Sequence, residues 1–272
     1  MKPLKAVTRR GPRATHPAKP LLRIAGLPAV SALFATAPDR VERLFYDSRL
    51  KPAVGAFCAL LARARKPYRL VPADELDRVT GTVLHGGIVA LAQPRPMPLF
   101  DPAAAQAWAD EGGPLLLLDG VGNPHNLGAI ARTAAFFGLK RIVLSDHPAQ
   151  AGPSDASYRV AEGGLEYIEL YRAARFAGAL RRLRDSHTVI GTALGRGQSL
   201  AALRLTDRPF ALVLGNEEQG LSQATLDACH TIVTIPGTGQ VQSLNVAASA
   251  ALVIYAALGL SAGRDEAAKA RV

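Results

Sequence analysis

Six polar side chains stand where an otherwise apolar sequence would not need them. Asn126 and Arg132 lie six residues apart in PLLLLDGVGNPHNLGAIARTAAFFG, residues 114–138, and Arg132 is flanked by Ala131, Ala134 and Ala135. Asn216 and Glu217 follow an apolar run in FALVLGNEEQGLS, residues 210–222. Ser243 and Asn245 precede the apolar stretch of IPGTGQVQSLNVAASAALVIYAAL, residues 235–258. A guanidinium on a small-residue helix is either a surface side chain with a buried stem or an anion clamp, whose planar fork suits phosphate. A guanidinium holds its proton too tightly to serve as a general base, so orienting a phosphate or stabilising an oxyanion is the chemistry open to it. Each polar residue also has a bland reading. Asn126, Ser243 and Asn245 are all N-cap types, and Glu217 and Glu218 suit a solvated turn.

Each polar pair is placed by the same device, an apolar strand leading through a polar loop. The pattern predicts strands at 115–119, 141–145, 167–171, 188–193, 210–214 and 231–235, and helices at 127–137, 175–186, 221–228 and 243–258. Near-continuous apolar strands alternating with helices imply an α/β fold, a mostly parallel sheet with helices on both faces. A nucleotide-type cofactor is then expected at the carboxyl ends of the strands. DGVGNPH, residues 119–125, is not a dinucleotide fingerprint, because His125 stands at the third glycine position and Pro124 stiffens the turn. The glycines of RVAEGGLEYIEL, residues 159–170, read as loop chemistry.

Upstream, helical periodicity at 29–36 and 53–65 and strand-like runs at 41–46, 68–71 and 87–92 outline a smaller α/β unit. AQPRPMPLFDP, residues 92–102, has four prolines at spacings no helix or central strand tolerates and reads as a linker, with a short helix at 102–110. The expected division is a disordered basic arm over 1–22, a small domain over 23–96, a linker over 97–110, a large domain over 111–262 and a tail over 263–272.

Composition narrows the class. Hydrophobic residues make up 49% of the 272-residue chain and charged ones 20%, enough for a core. Cys58 and Cys229 form neither a disulfide framework nor a metal pattern, which suits a reducing, cytoplasmic compartment. The six histidines are scattered without ligand spacing, so no metal is expected. No apolar run reaches the roughly 18 residues of a membrane span. Arg23, Gly26 and Pro28 break the apolar stretch 21–37, so it is not read as a secretory signal. The net charge of +10 is uneven: seven cations and no anion lie in residues 1–23, while residues 97–272 are close to neutral. A basic arm beside a basic small unit is an electrostatic footprint for a polyanion.

NPHNLGAIARTA, LGNEEQGLS and IPGTGQVQSLNVAASA resemble, in order and spacing, the three motifs of the SpoU (TrmH-like) family of SPOUT RNA 2′-O-ribose methyltransferases. More loosely, GLPAVSALFATAPDRVERLFYD and LHGGIVALAQPRP resemble its small substrate-binding domain. The resemblance implies a trefoil-knotted SPOUT catalytic domain, a homodimer, RNA (rRNA or tRNA) as substrate and S-adenosyl-L-methionine as methyl donor. It implies catalytic roles for Asn126, Arg132, Glu217, Ser243 and Asn245. It implies a cofactor site of Gly215, Asn216, Ile235, Gly239, Ser243, Leu244 and Asn245. Relatives often carry a bulkier residue where this chain has Gly237, and a Ser or Cys where it has Glu162. The alternative is a catalytically weak RNA-binding protein that keeps the SPOUT fold, and Gly237 is the sequence feature that favours it. A purely structural dimerisation module would leave the polar motifs unexplained.

Overall fold

A computed structural model describes residues 20–205 and 207–269, with side chains as far as Gly259. Most of the expected basic arm therefore lies outside the described residues, as does the end of the expected tail.

The chain builds two sheets in turn. The first comprises β1 (Leu22–Ala25), α1 (Leu27–Thr36), β2 (Val41–Tyr46), α2 (Gly55–Arg63), β3 (Tyr68–Leu70), α3 (Ala73–Thr80) and β4 (Ile88–Ala92). Its strand order is β1-β4-β2-β3, with β4 antiparallel to both neighbours and β3 parallel to β2. The proline-rich connection and α4 (Ala104–Asp110) lead into the second unit. There follow β5 (Leu115–Asp119), α5 (Pro124–Phe136), β6 (Arg141–Leu144), α6 (Asp155–Ala161), β7 (Glu169–Arg172), α7 (Phe176–Leu183) and β8 (Thr188–Thr192). The chain closes with β9 (Gln198–Ser199), β10 (Phe210–Gly215), α8 (Gln223–Ala228), β11 (Thr231–Thr234) and α9 (Val246–Lys269).

The larger sheet runs β7-β6-β5-β10-β8-β11-β9, parallel at every pairing. Its central strands, LLLLD and FALVLG, are buried along their whole length, as a strand covered on both faces must be. The two-residue pleat sorts their side chains between two cores. Leu116 and Leu118 join Leu127, Ile130 and Ala134 of α5 and Ala250, Val253 and Ile254 of α9. Leu115 and Leu117 join Phe176, Leu180 and Leu183 of α7. Burying one leucine side chain contributes about 1.5–3 kcal/mol, so these layers fix the strand ends and the loops on them.

The α1 side of the small sheet is continuous with the first of these cores, and polar contacts reinforce the junction. The buried Glu166 accepts from Arg40 at 2.6 Å. Arg95, from the proline-rich connection, donates to the carbonyls of Leu165, Glu166 and Ile168 at 3.0–3.2 Å.

Several expectations change. The last helix begins at Val246, not 243, because Asn245 caps it: Oδ1 accepts from Ala247 N at 2.8 Å; it runs on to Lys269, past the expected end at 258 and through most of the stretch expected as a tail. α6, whose capping box joins Ser154 and Ser157, was not expected, while the glycines of 159–170 do lie in the turn beyond it. The strand expected at 167–171 begins at Glu169. β1 and α3 were not expected, and β1 starts at Leu22, inside the stretch read as arm.

Candidate active site

The three motif segments meet at the carboxyl ends of β5 and β10 and the start of α9. α5 starts at Pro124 because Asn123 caps it, its side chain accepting from His125 N at 2.8 Å. An Asn-Pro pair is the signature of this start, with proline at the first helical position where the missing N–H costs nothing. Asn126 is therefore not the N-cap. It sits inside the first turn with its amide free for other partners. Its Nδ2 donates to Glu217 Oε1 at 2.7 Å, and its Oδ1 accepts from Asn245 Nδ2 at 3.0 Å. One chain of hydrogen bonds thus runs Glu217–Asn126–Asn245, across 91 and 119 residues of sequence.

Glu217 also accepts from the backbone N–H of Gly122 at 3.4 Å, so both carboxylate oxygens face donors. Asn216 Nδ2 donates to Gly120 O at 2.8 Å, while its Oδ1 accepts from the amides of Glu218 and Gln219, each at 2.9 Å. The loop after β10 therefore clamps the loop after β5. Gln150 completes the clamp, accepting from Gly120 N at 2.9 Å and Val121 N at 3.1 Å and donating to Val121 O at 3.2 Å. Sequence reading missed Gln150, since nothing in its surroundings, DHPAQAG, marks it.

Beside this network lies an open cleft of about 1210 Å³. Gly215, Asn216, Glu217, Ile235, Gly239, Ser243 and Leu244 line it, so of the expected cofactor residues Asn245 alone stays outside, at its edge. The reason for Gly215 changes. A Cβ there would lie 2.6 Å from the Gly220 carbonyl carbon, so the close neighbour is the chain's own Asn216–Gly220 turn and not a ligand. Gly239 has φ +84°, which favours glycine, whereas Gly237 has open space about it and no unusual backbone angle. A side chain would fit at 237, so the departure there widens the cleft without being required by the turn. Ser243 is exposed and does not cap α9.

No backbone hydrogen bond joins residues 236–244 to another described residue. Exposed amides and carbonyls with no backbone partner, beside exposed Leu194, Val241 and Leu244, offer both edge-reading polar groups and an apolar wall. These features fit a nucleoside-bearing cofactor. Among the described residues, no group of three His, Cys, Asp or Glu side chains could hold a metal ion.

Arg132 is not in the network and does not line the cleft. It lies further along α5, exposed, with Nη2 3.0 Å from Glu162 Oε2. One turn on, Phe136 is 82% exposed and stacks edge-on with Phe137, which contacts the exposed Tyr255 of α9. The arginine thus borders an apolar face built by α5 and α9.

The model of the SpoU rRNA methylase family matches residues 114–255, and that of the RNA 2′-O ribose methyltransferase substrate-binding domain matches residues 23–98. An uncharacterized tRNA/rRNA methyltransferase, YfiF of Escherichia coli O157:H7, is 32% identical over 236 residues, 85% of this chain and 66% of the relative. The 23S rRNA (guanosine-2′-O-)-methyltransferase RlmB of Nitrosomonas europaea is 32% identical over 235 residues, 85% of this chain and 89% of that protein. An AdoMet-bound rRNA methyltransferase from Sinorhizobium meliloti has the same fold, with a TM-score of 0.71, 24% identity and coverage of 87% of this chain and 86% of its own. With its motifs in sequence, its cleft at the strand ends and this spread of relatives, the chain belongs to the SpoU rRNA methylase family.

Proposed function

We infer that the protein is an S-adenosyl-L-methionine-dependent methyltransferase acting on the ribose 2′-hydroxyl of an RNA nucleotide. The observation that carries this is the hydrogen-bonded chain Glu217–Asn126–Asn245, which ties the three motif segments together at the rim of one cleft. The cofactor, held among Gly215, Asn216, Ile235, Gly239, Ser243 and Leu244, supplies an electrophilic methyl group on a sulfonium. The protein contributes position and electrostatics. Glu217 and Asn126 fix the loop after β5 and the start of α5 against the cleft. Arg132 would orient a neighbouring phosphate and stabilise the 2′-oxyanion that forms when the hydroxyl gives its proton to solvent, before that oxygen takes the methyl group. The 2′-hydroxyl is the atom that separates RNA from DNA, so the chemistry selects RNA by itself.

The relatives named for 23S rRNA guanosine support a ribosomal substrate over a transfer RNA. The two sheets support a small substrate-binding domain that begins with β1 at Leu22 and a catalytic domain that includes α9, with the basic stretch upstream adding cations for RNA. The apolar face of Phe136, Leu252 and Tyr255 supports a homodimer. A partner covering that face brings its own cleft toward Arg132, which one chain leaves outside the site. A trefoil knot in the last segment follows from family membership. Free Cys58 and Cys229 suit the reducing cytoplasm.

The test is a map of 2′-O-methyl sites across total RNA from cells with and without the gene. Loss of one ribosomal ribose methyl group is expected, and an unchanged map would remove the proposed activity.

A further inference from the structure

Glu162 occupies a backbone position that argues against its own residue type. It ends α6 at φ +45°, in the left-handed region, where glycine or asparagine is the ordinary occupant. A glycine follows immediately, yet the glutamate stands first. The next two residues show why the segment cannot move aside. A Cβ on Gly163 would lie 2.8 Å from Ala32 Cβ of α1, and one on Gly164 would lie 2.8 Å from Arg132 Cα. Gly163 and Gly164 are thus wedged between the small unit and α5, and Glu166 just beyond is held by Arg40 and Arg95. From this fixed base the Glu162 carboxylate reaches Arg132 Nη2 at 3.0 Å, with both side chains about half exposed.

A chain with a glycine at 162 would fold the same turn without strain. What the glutamate adds is an anion at the guanidinium, the same chemistry a phosphate would bring. We propose that Glu162 is a positioning residue for Arg132, holding the guanidinium on an internal carboxylate until an RNA phosphate takes its place. The inference rests on the reading of Arg132 as a phosphate clamp. Exchange of partners is favourable in one direction only if RNA brings more charge or better geometry than the carboxylate. The internal pair therefore weakens RNA binding, and it keeps Arg132 extended when RNA is absent.

The experiment measures Kd for an in vitro transcript of 23S rRNA, and single-turnover methylation of it, in wild type, Glu162→Gln, Glu162→Gly and Arg132→Ala, and in Glu162→Gln combined with Arg132→Ala. Glycine relieves the backbone, so at least one variant is expected to fold. Both Glu162 variants should bind RNA at least threefold more tightly at low salt, with the gain shrinking as salt rises. In the Arg132→Ala background, Glu162→Gln should change Kd by less than twofold. A gain of equal size in that background would mean general repulsion between Glu162 and RNA, and would overturn the proposal. Unchanged Kd in both single variants would overturn it too, leaving a structural ion pair. Arg132→Ala is read separately: full methylation in that variant removes the clamp reading itself, whatever Glu162 does.

Discussion

Arg132 and Gly215 are both motif residues, but only the loss of Gly215 should cost stability. The Arg132–Glu162 pair is half exposed, and such pairs contribute about 0.2–1 kcal/mol, so Arg132→Ala should leave the melting temperature nearly unchanged. Methyl transfer should fall by about 10²–10³, the cost of removing one preorganised oxyanion donor. Arg132→Lys should recover little, because a point charge lacks the planar fork. Thermal melting and single-turnover transfer on one preparation check both statements. Gly215→Ala should lower stability and transfer together, since its Cβ would press on Gly220 backbone at 2.6 Å and displace the turn that carries Asn216 and Glu217. Overpacking of this kind costs about 1–3 kcal/mol in urea titration. Gly237→Ala, with open space around it, should stay within about 0.5 kcal/mol of wild type.

At the scale of elements, the joint between β8 and the start of β5 has a pH-dependent strut. His187 Nε2 is 3.1 Å from Gly113 O, and as that carbonyl only accepts, the ring nitrogen carries the proton; Nδ1 lies 2.9 Å from Ser186 Oγ. Burial lowers the His187 pKa below its ordinary value. The unfolded chain therefore takes up a proton before the folded one does. The stability this residue contributes is fully present above the unfolded pKa of about 6.5 and is lost as pH falls from there through the lower folded value. Urea midpoints should drop between pH 7 and pH 5, and His187→Gln, which can still donate to Gly113 O, should flatten that drop. The elements themselves were unevenly legible. Leu115–Leu118 and Phe210–Leu214 announce buried parallel strands because a strand covered on both faces has no polar alternation to hide it. α6 was missed because its seven residues are too few for a period and its capping box uses Ser157 where Glu or Gln would be the signal. At α9, Ser243 and Asn245 are both capping types, and only the reach of a side-chain oxygen to a particular amide separates them; at α5 the cap is Asn123, which the sequence reading passed over for Asn126. Pairing of Arg132 with Glu162, like the Glu217–Asn126–Asn245 chain, joins segments far apart in sequence, and no local pattern encodes the distance.

For the whole molecule, two surfaces decide how the site is completed. Between the units, Glu166 is nearly inaccessible and faces both Arg40 and Arg95. Removing one partner of such a pair strands a buried charge at a cost of about 3–5 kcal/mol, so Glu166→Ala should loosen the junction. Limited proteolysis should then cut the proline-rich connection near residues 93–99 faster than in wild type. On the face of α5 and α9, Phe136→Glu with Tyr255→Glu should convert the proposed dimer to a monomer in sedimentation and abolish transfer while leaving the fold intact. A monomer with full activity would show that one chain completes its own site. The central claim is that the methyl group goes to the ribose 2′-oxygen, and alkali reads that atom directly. Base-catalysed cleavage of RNA needs a free 2′-hydroxyl as its nucleophile, so methylation there leaves one linkage uncut. With radiolabelled S-adenosylmethionine and ribosomal RNA, complete alkaline hydrolysis should leave the label in a single resistant dinucleotide. Label recovered in mononucleotides would place the methyl group on a base and contradict the account.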